Sequence, residues 1–419
     1  MDTSHRLSRN IRLFYYQHFL VGLSTMWAPI IVIFQMQAVG LSLTQVMVGE
    51  SIFAATIVLF EVPTGVFADR MGRKMTLIAG MTFFVCAMVV FTLATNFALV
   101  IISQILFGLA TAFQSGADSA LLFDSLKALN QETEYQKVLG RAQTISYLTA
   151  IPMNIAGGLI AARFGFRLTI ALSTVITAVS LINFFMLFEP PISIEGKRPG
   201  KTVLWHTWKA SRYIWKHRMV RFTIGFSMAI GLGMKLSFHT MNPFWEHWHV
   251  PISYFGFAFA GYNLVAALSS HYAYRIIKRL GDLTTLLFLL VLVSGTFFLM
   301  GGLSFGILGA LLIPATFQIV RSLEPIATDD MVNRVTFSHH RATVLSLKSF
   351  LRQVTQIALL PLFGILSDSY GLTSAYAWTG AFVVLTGLLA LFRLHSLPAD
   401  YRHGFIPDSA RIAEQEASE

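Results

Sequence analysis

The chain has 419 residues, 55% of them hydrophobic and only 12% charged, with a mean hydropathy of +0.63 and a formal net charge of +10 at pH 7. An average soluble domain carries about 25% charged residues, so half of the usual water-facing surface is missing. Apolar runs near 20 residues recur along the whole length, too many for one aqueous domain to bury, so the main solvent of this chain is lipid.

Hydropathy read over about 19 residues places twelve spans, at 12–38, 44–66, 75–95, 98–124, 140–162, 168–188, 219–245, 253–275, 283–303, 305–327, 342–367 and 372–393. Each must be helical, because hydrocarbon offers a lone span no other partner for its backbone groups. The alternating segments of about 10 residues that a membrane barrel would show are absent from the sequence.

The first ten residues are polar and basic, and the run behind them has no small-residue cleavage pattern, so span one is expected to be retained. It carries Gln17 and His18. Span two holds Glu61 in its inner half and ends in Gly65-Val-Phe-Ala-Asp69-Arg70-Met-Gly72-Arg73-Lys74. Span three contains the single cysteine, Cys86, expected as a small core residue and unable to form an intrachain disulfide. Span four presents Thr111, Gln114 or Ser115, and Asp118, with Asp124 at its end.

The longest hydrophilic break, 190–218, follows span six. Trp205, Trp208, Arg212 and Trp215 recur there at helical spacing, which fits either an interfacial amphipathic helix or a plain linker. In span seven Lys235, His239, Asn242 and Glu246 fall at i, i+4, i+7 and i+11, one polar stripe. Span ten carries Arg321 and Glu324, expected as structural or gating charges near one mouth. Span eleven carries Ser349, Arg352, Gln353 and Gln356. The interiors of spans three, six, nine and twelve hold no charge and are expected to face lipid as an outer scaffold. The tail beyond Leu397 is polar.

With a cytoplasmic N-terminus, lysine and arginine collect on one side: Arg6, Arg9, Arg70, Arg73, Lys74, Lys127, Lys137, Arg275, Lys278, Arg279 and Arg334, against Arg163 and Arg167 opposite. This asymmetry accounts for the basic charge without nucleic acid. Both termini are then cytoplasmic. The compact chain, its short external loops and the lack of an Asn-x-Ser/Thr acceptor point to a bacterial inner membrane.

One pattern recurs four times. It reads Gly65-Val-Phe-Ala-Asp69-Arg70-Met-Gly72, then Gly158-Leu-Ile-Ala-Ala162-Arg163-Phe-Gly165, then Lys278-Arg279-Leu-Gly281, then Gly364-Ile-Leu-Ser-Asp368-Ser-Tyr-Gly371. The closing glycines are 93, 116 and 90 residues apart, and the long interval contains the hydrophilic break. The unit is therefore three helices, repeated four times as two six-helix bundles, 1–189 and 219–397, joined by 190–218 and followed by a tail at 398–419. Triplets hold an odd number of spans, so consecutive copies emerge on opposite faces: an inverted repeat around a midplane site. Within the motif, Asp69 needs a partner across the loop, and Asp124 is the candidate partner of Arg73.

Glu61-Val-Pro-Thr-Gly65-Val-Phe-Ala-Asp69-Arg70-Met-Gly72-Arg73-Lys74 resembles the signature loop between helices two and three of the major facilitator superfamily. Span count, linker and repeat extend the resemblance over nearly the whole chain. It implies an all-α, twelve-helix transporter whose motif (Gly65, Asp69, Arg70, Gly72, Arg73 and Lys74, with Asp124) locks the cytoplasmic side when the cavity faces outward. Ser115-Gly116-Ala117-Asp118 and Arg341-Ala342-Thr343-Val344-Leu345-Ser346 are similar to bacterial members grouped with drug:proton antiporters. Two features depart from that group: span four has no arginine, and the span-five signature is reduced to Pro152 with Gly157-Gly158.

The intramembrane polar groups divide by role. Lys235, Arg352, His239, Asn242, Gln353, Gln356, Gln17 and Gln114 are the expected solute contacts, and Asp118 and Glu61 the expected proton carriers, although Glu61 could equally be a fixed partner of Arg352 or Lys235. Two mid-depth cations favour an anionic or zwitterionic solute; neutral or cationic amphiphiles compete, on the strength of 36 phenylalanines and 16 methionines. The expected function is secondary transport of a small solute by alternating access, proton-coupled, with export favoured over uptake of an organic anion. A non-transporting receptor or lipid-handling scaffold is the third class. No metal-ligand cluster, cofactor motif, nucleophile elbow or phosphate loop appears, so neither an enzyme nor a nucleic-acid binder is expected. The expected partners are a small molecule, protons and the bilayer, with the chain acting as a monomer.

Overall fold

The computed structural model describes residues 3–190, 218–302, 306–335 and 338–395. Every element among them is helical. Eleven of these helices are long and apolar enough to cross a membrane. The helix Arg218–His247, 30 residues long, occupies the place of span seven, where the polar stripe lowers the hydropathy of the run. The chain is thus an all-α membrane protein of twelve spans. The linker with Trp205, Trp208, Arg212 and Trp215 and the tail at 398–419 lie outside the described residues.

Several helices overrun their predicted spans on the side of the N-terminus. Span two, Leu43–Met71, runs five residues past its predicted end, span five starts at Tyr135, and span ten continues to Val335. Hydropathy reports the buried part of a helix, whereas an established helix extends into water at little cost once its nucleus exists. At the opposite end span two starts from a capping box: the Ser42 hydroxyl accepts from the Gln45 N–H, and Gln45 Oε1 accepts from the Ser42 N–H.

Three spans are irregular. Span one is α-helical over Thr3–Leu23, a 3₁₀ turn over Ser24–Ile30 around Pro29, and a π turn over Phe34–Ala38. Proline supplies no N–H and forces the ladder to change pitch. Span four breaks between Phe97–Gln114 and Ala117–Lys127, where Gly116 adopts φ +73°. Span ten breaks between Gly306–Leu312 and Ala315–Val335. The remaining spans are Arg73–Leu93, Phe166–Phe185, Ile252–Leu280, Asp282–Gly302, Ser338–Tyr370 and Leu372–His395.

The repeat shows itself in the backbone. Its four closing glycines, Gly72, Gly165, Gly281 and Gly371, all sit at positive φ, between 76° and 89°. Each lets one helix stop and the next start after a single residue, a conformation that a side chain makes strained.

Contacts divide the molecule into two compact units. One comprises the described residues of Met1–Pro199 with Asn242–Asn263 and Leu360–Asp368; the other comprises those of Gly200–Met241, Leu264–Leu359 and Ser369–Glu419. The division differs from the sequence halves because the ends of spans seven, eight and eleven remote from the N-terminal face pack with spans one, two and five. In the first unit Leu13, Leu77, Ile78, Leu121 and Phe184 form a core from spans one, three, four and six. In the second, Ile224, Val332, Val344 and Leu347 join spans seven, ten and eleven.

Leu59, Leu93, Leu148, Val175 and Leu308 are exposed, as befits side chains that lipid covers. Cys86 is exposed too, which corrects its assignment to the core: its helix turns that position outward. The scaffold assignment of span six also needs amendment. Asn183 is buried and donates to the Leu13 carbonyl at 3.1 Å and to Gln17 Oε1 at 3.0 Å, so this uncharged helix has a polar inner face.

Candidate functional site

The second unit holds a network of charges on helices long and apolar enough to cross a membrane. Glu324, whose side chain is 2% exposed, lies 3.3 Å from Arg352 Nη1. The Ser227 hydroxyl donates to Glu324 Oε1 at 2.6 Å, and Thr328 Oγ1 lies 3.2 Å from the same oxygen. Buried Lys348 donates to Thr328 Oγ1 and to Asp329 Oδ1, both at 2.6 Å. Gly231 makes room for the guanidinium: a Cβ there would come within 2.6 Å of Arg352 Nε. A cavity of about 320 Å³ opens beside the network, lined by Asp329, Lys348, Ser349, Arg352, Gln353 and Gln356, with Pro325 and Leu345.

Arg352, Gln353 and Gln356 therefore do share one cavity, as their spacing on span eleven anticipates. The partner of Arg352 is Glu324, however. Glu61 is exposed on span two and does not fill that role. A span ten ending at 327 puts Glu324 near a mouth; the helix instead runs on to Val335, and Glu324 is buried. Lys348 escaped notice although it stands one turn before Arg352.

The first unit has its own small cavity, of about 90 Å³, lined by Asn10, Gln17, His18, Gln114, Asp118 and Asn183 among apolar walls. The break in span four forms one side of it. Gln17, Gln114 and Asp118 thus line this cavity together, and Arg352 lines the other; Lys235, half-buried on span seven, lines neither. A second buried carboxylate that sequence reading passed over lies in this unit: Glu50, 4% exposed, accepts from Gln104 Nε2 at 3.1 Å.

Asn242 corrects the polar-stripe reading. It is 2% exposed, its Nδ2 donates to the Pro29 carbonyl at 3.0 Å, and its Oδ1 accepts from the N–H groups of Val32 and Ile33 at 3.3 and 3.4 Å. It replaces the ladder bonds that span one loses at Pro29, and its acceptor oxygen is fully used there. Glu246 accepts from Gln37 Nε2 at 2.6 Å. His239 is buried edge-on to the Phe238 ring. Periodicity puts these residues on one helix face, and at Asn242 and Glu246 that face meets span one.

The end of the first unit remote from the N-terminal face is tightly interlocked. Gly158 meets Gly256, where a Cβ would lie 2.8 Å from the Gly256 nitrogen, and Gly364 meets Thr44, where it would lie 2.5 Å from Cα. Gly157 abuts the Met26 carbonyl. Asp368, in the fourth copy of the repeat, accepts from the Thr44 N–H at 3.0 Å, so a carboxylate sits at the start of span two where the helix dipole favours it. Trp245 is fully buried against Phe255, Phe259 and Tyr262.

At the signature loop Arg73 Nε lies 2.8 Å from Asp124 Oδ2. Asp69 and Arg70 are exposed, no ion pair reaches Asp69 among the described residues, and a Cβ on Gly65 would meet nothing within 4 Å. The expected partner of Asp69 is thus not in contact here. Glu189, which sequence reading missed, accepts from the Arg73 and Lys74 N–H groups at 2.8 and 2.7 Å. It caps span three across the glycine turn, and a Cβ on Gly72 would strike it. Glu189→Ala is expected to destabilise the protein by about 1 kcal/mol, read as a lowered melting temperature of the detergent-solubilised protein; an unchanged value would show that the cap contributes nothing.

Comparison with known proteins agrees with this architecture. The model of the Major Facilitator Superfamily matches residues 15–244. An uncharacterized transporter of Buchnera aphidicola is 27% identical over 175 residues, 42% of either chain, so this alignment spans less than half of that relative. An uncharacterized MFS-type transporter of Methanocaldococcus jannaschii is 20% identical over 376 residues, covering 88% of this chain and 93% of the relative. Among solved structures the nucleoside transporter NupG superposes with a TM-score of 0.79 at 13% identity, covering 92% of this chain and 99% of that one. At that identity the likeness concerns the fold.

Proposed function

Because this chain belongs to the major facilitator superfamily, we propose that it is a secondary active transporter, moving a small organic solute by alternating access under a proton gradient. Membrane transport of this superfamily's kind is common to the relatives; solute, coupling and direction are our assignment. The observation that carries it is the cavity of the second unit, where Ser349, Gln353 and Gln356 stand beside two ion pairs on membrane-length helices. An inert scaffold has no reason to bear the desolvation of Lys348 and Glu324, whose side chains are 5% and 2% exposed. The same argument weighs against a receptor or lipid-handling role.

Asp118, beside Gln17 and Gln114 in the first unit, is the proposed proton carrier. Glu61 is the less supported one, since neither cavity includes it. Export follows from the resemblance of Ser115–Asp118 and Arg341–Ser346 to drug:proton antiporters. Arg73 and Asp124, with the rest of the signature loop, take the gating role. The protein is assigned to a bacterial inner membrane, as a monomer with both termini cytoplasmic.

The test is counterflow and gradient-driven flux in proteoliposomes, with and without an imposed pH difference. Concentrative movement dependent on the pH difference, abolished in Asp118→Asn while counterflow persists, is expected. Flux indifferent to the pH difference would end the proton assignment. Absence of counterflow for every solute tried, in protein shown to bind one, would end the transport assignment.

A further inference from the structure

Charge balance around the cavity of the second unit narrows the solute. Its wall carries Lys348, Arg352 and Asp329, and Glu324 stands directly behind Arg352. Two cations face two carboxylates, and each cation is engaged: Lys348 with Asp329 at 2.6 Å, Arg352 with Glu324 at 3.3 Å. The wall therefore offers no net charge. A solute carboxylate arriving at Arg352 must compete with Glu324, which lies 2% exposed, and leave it without its counter-ion. Breaking one side of a buried pair is the expensive way to use it. An uncharged solute disturbs neither pair.

What the wall does offer is unspent hydrogen-bonding capacity. Gln353 and Gln356, three residues apart, lie on the same helix face, and Ser349 stands one turn before Gln353. Among the described residues none of these three side chains has a hydrogen-bond partner within the protein, whereas their neighbours Lys348 and Arg352 are bonded. Each carboxamide presents an acceptor beside two donors, and the serine hydroxyl does both. Two such groups a helical turn apart match neighbouring hydroxyls on one solute, each of which also donates and accepts. The volume, about 320 Å³, corresponds to roughly ten waters at about 30 Å³ each, room enough for a monosaccharide together with a few bridging waters.

From this juxtaposition of a charge-neutral wall and three unpartnered hydrogen-bonding side chains in one cavity, we infer that the transported solute is an uncharged polyhydroxy compound of about monosaccharide size. The inference rests on reading the chain as a transporter, and it replaces the anionic solute that the bare count of cations favoured.

Binding is tested on the purified full chain, apart from transport. Glucose, ribose and myo-inositol are compared with gluconate and glucosamine, which keep the size and hydroxyls but add a charge, by saturable thermal stabilisation at matched ionic strength. A neutral polyol is expected to stabilise at least tenfold more tightly than either charged counterpart. Gln353→Leu and Gln356→Leu should each weaken it roughly tenfold without altering the melting temperature of the unliganded protein. Preference for gluconate, preference for glucosamine, or no saturable effect of any neutral member overturns the inference. Counterflow of the bound compound then tests the transport reading separately: a polyol that binds but does not move refutes transport and leaves the assignment of the cavity standing.

Discussion

Glu324→Ala is expected to destabilise the protein by about 3 kcal/mol, and Glu324→Gln combined with Arg352→Met to recover at least half of that loss. Removing the carboxylate alone leaves the Arg352 guanidinium facing the Ser227 and Thr328 hydroxyls, which carry no charge. The Arg352 side chain is 28% exposed and lines the cavity. Removing both charges eliminates a desolvation penalty on each. Gly231 leaves the space that a flexible methionine can fill. The comparison of single and double variants by thermal unfolding in detergent decides whether the pair is a structural element or a replaceable one. If the double variant is no better than the single, the carboxylate and guanidinium are coupled to more than each other, and Lys348 with Asp329 is the next pair to examine.

That network also shows where sequence reading succeeds and where it stops. Span eleven gave Arg352, Gln353 and Gln356 as one face, and they line one cavity. Periodicity is a property of a single helix, and nothing outside the helix is needed to read it. The identity of the facing residue is not such a property. Glu61 is the partner that sequence reading offers for Arg352, and nothing on span eleven points to Glu324, which fills the role. An error of a few residues at a helix end moved a buried carboxylate, on paper, to the rim.

Part of the span-seven stripe shows the opposite limit. Lys235, His239, Asn242 and Glu246 do share a face, but a polar face can meet either water or an unsatisfied backbone. Pro29 disrupts span one, and the freed groups there are met by Asn242. The proline was visible in the sequence; which helix would repair the damage was not. Glu189 illustrates the same limit, since an acidic residue after span six gives no hint that it caps span three. By contrast, the four-fold repeat was fully legible, because the positive φ of Gly72, Gly165, Gly281 and Gly371 is a local demand that only glycine meets cheaply.

Substitution at the glycine crossings of the first unit should have the largest effect on transport of any change outside the cavities. Gly256→Val places a side chain where even a Cβ would lie 2.8 Å from Ile155 Cα, against backbone that cannot rotate away as a side chain can. Gly364→Val meets Thr44 in the same manner. Overpacking of this kind costs about 1–3 kcal/mol, and 1.4 kcal/mol is a factor of ten in a population. Under alternating access this cost falls only on the arrangement in which these crossings are closed. The expected readout is therefore conformational and not a loss of fold. With Cys86 replaced by alanine, a single cysteine at Val250, which is buried just before the helix that carries Gly256, should become modified at least tenfold faster by a water-soluble thiol reagent in Gly256→Val. Solute flux should fall by a similar factor while the melting temperature changes little. Gly65→Val is the control, since a Cβ there meets nothing within 4 Å and should not speed the modification. Equal labelling in all three proteins would mean that the crossings do not open, and alternating access at this face would have to be abandoned.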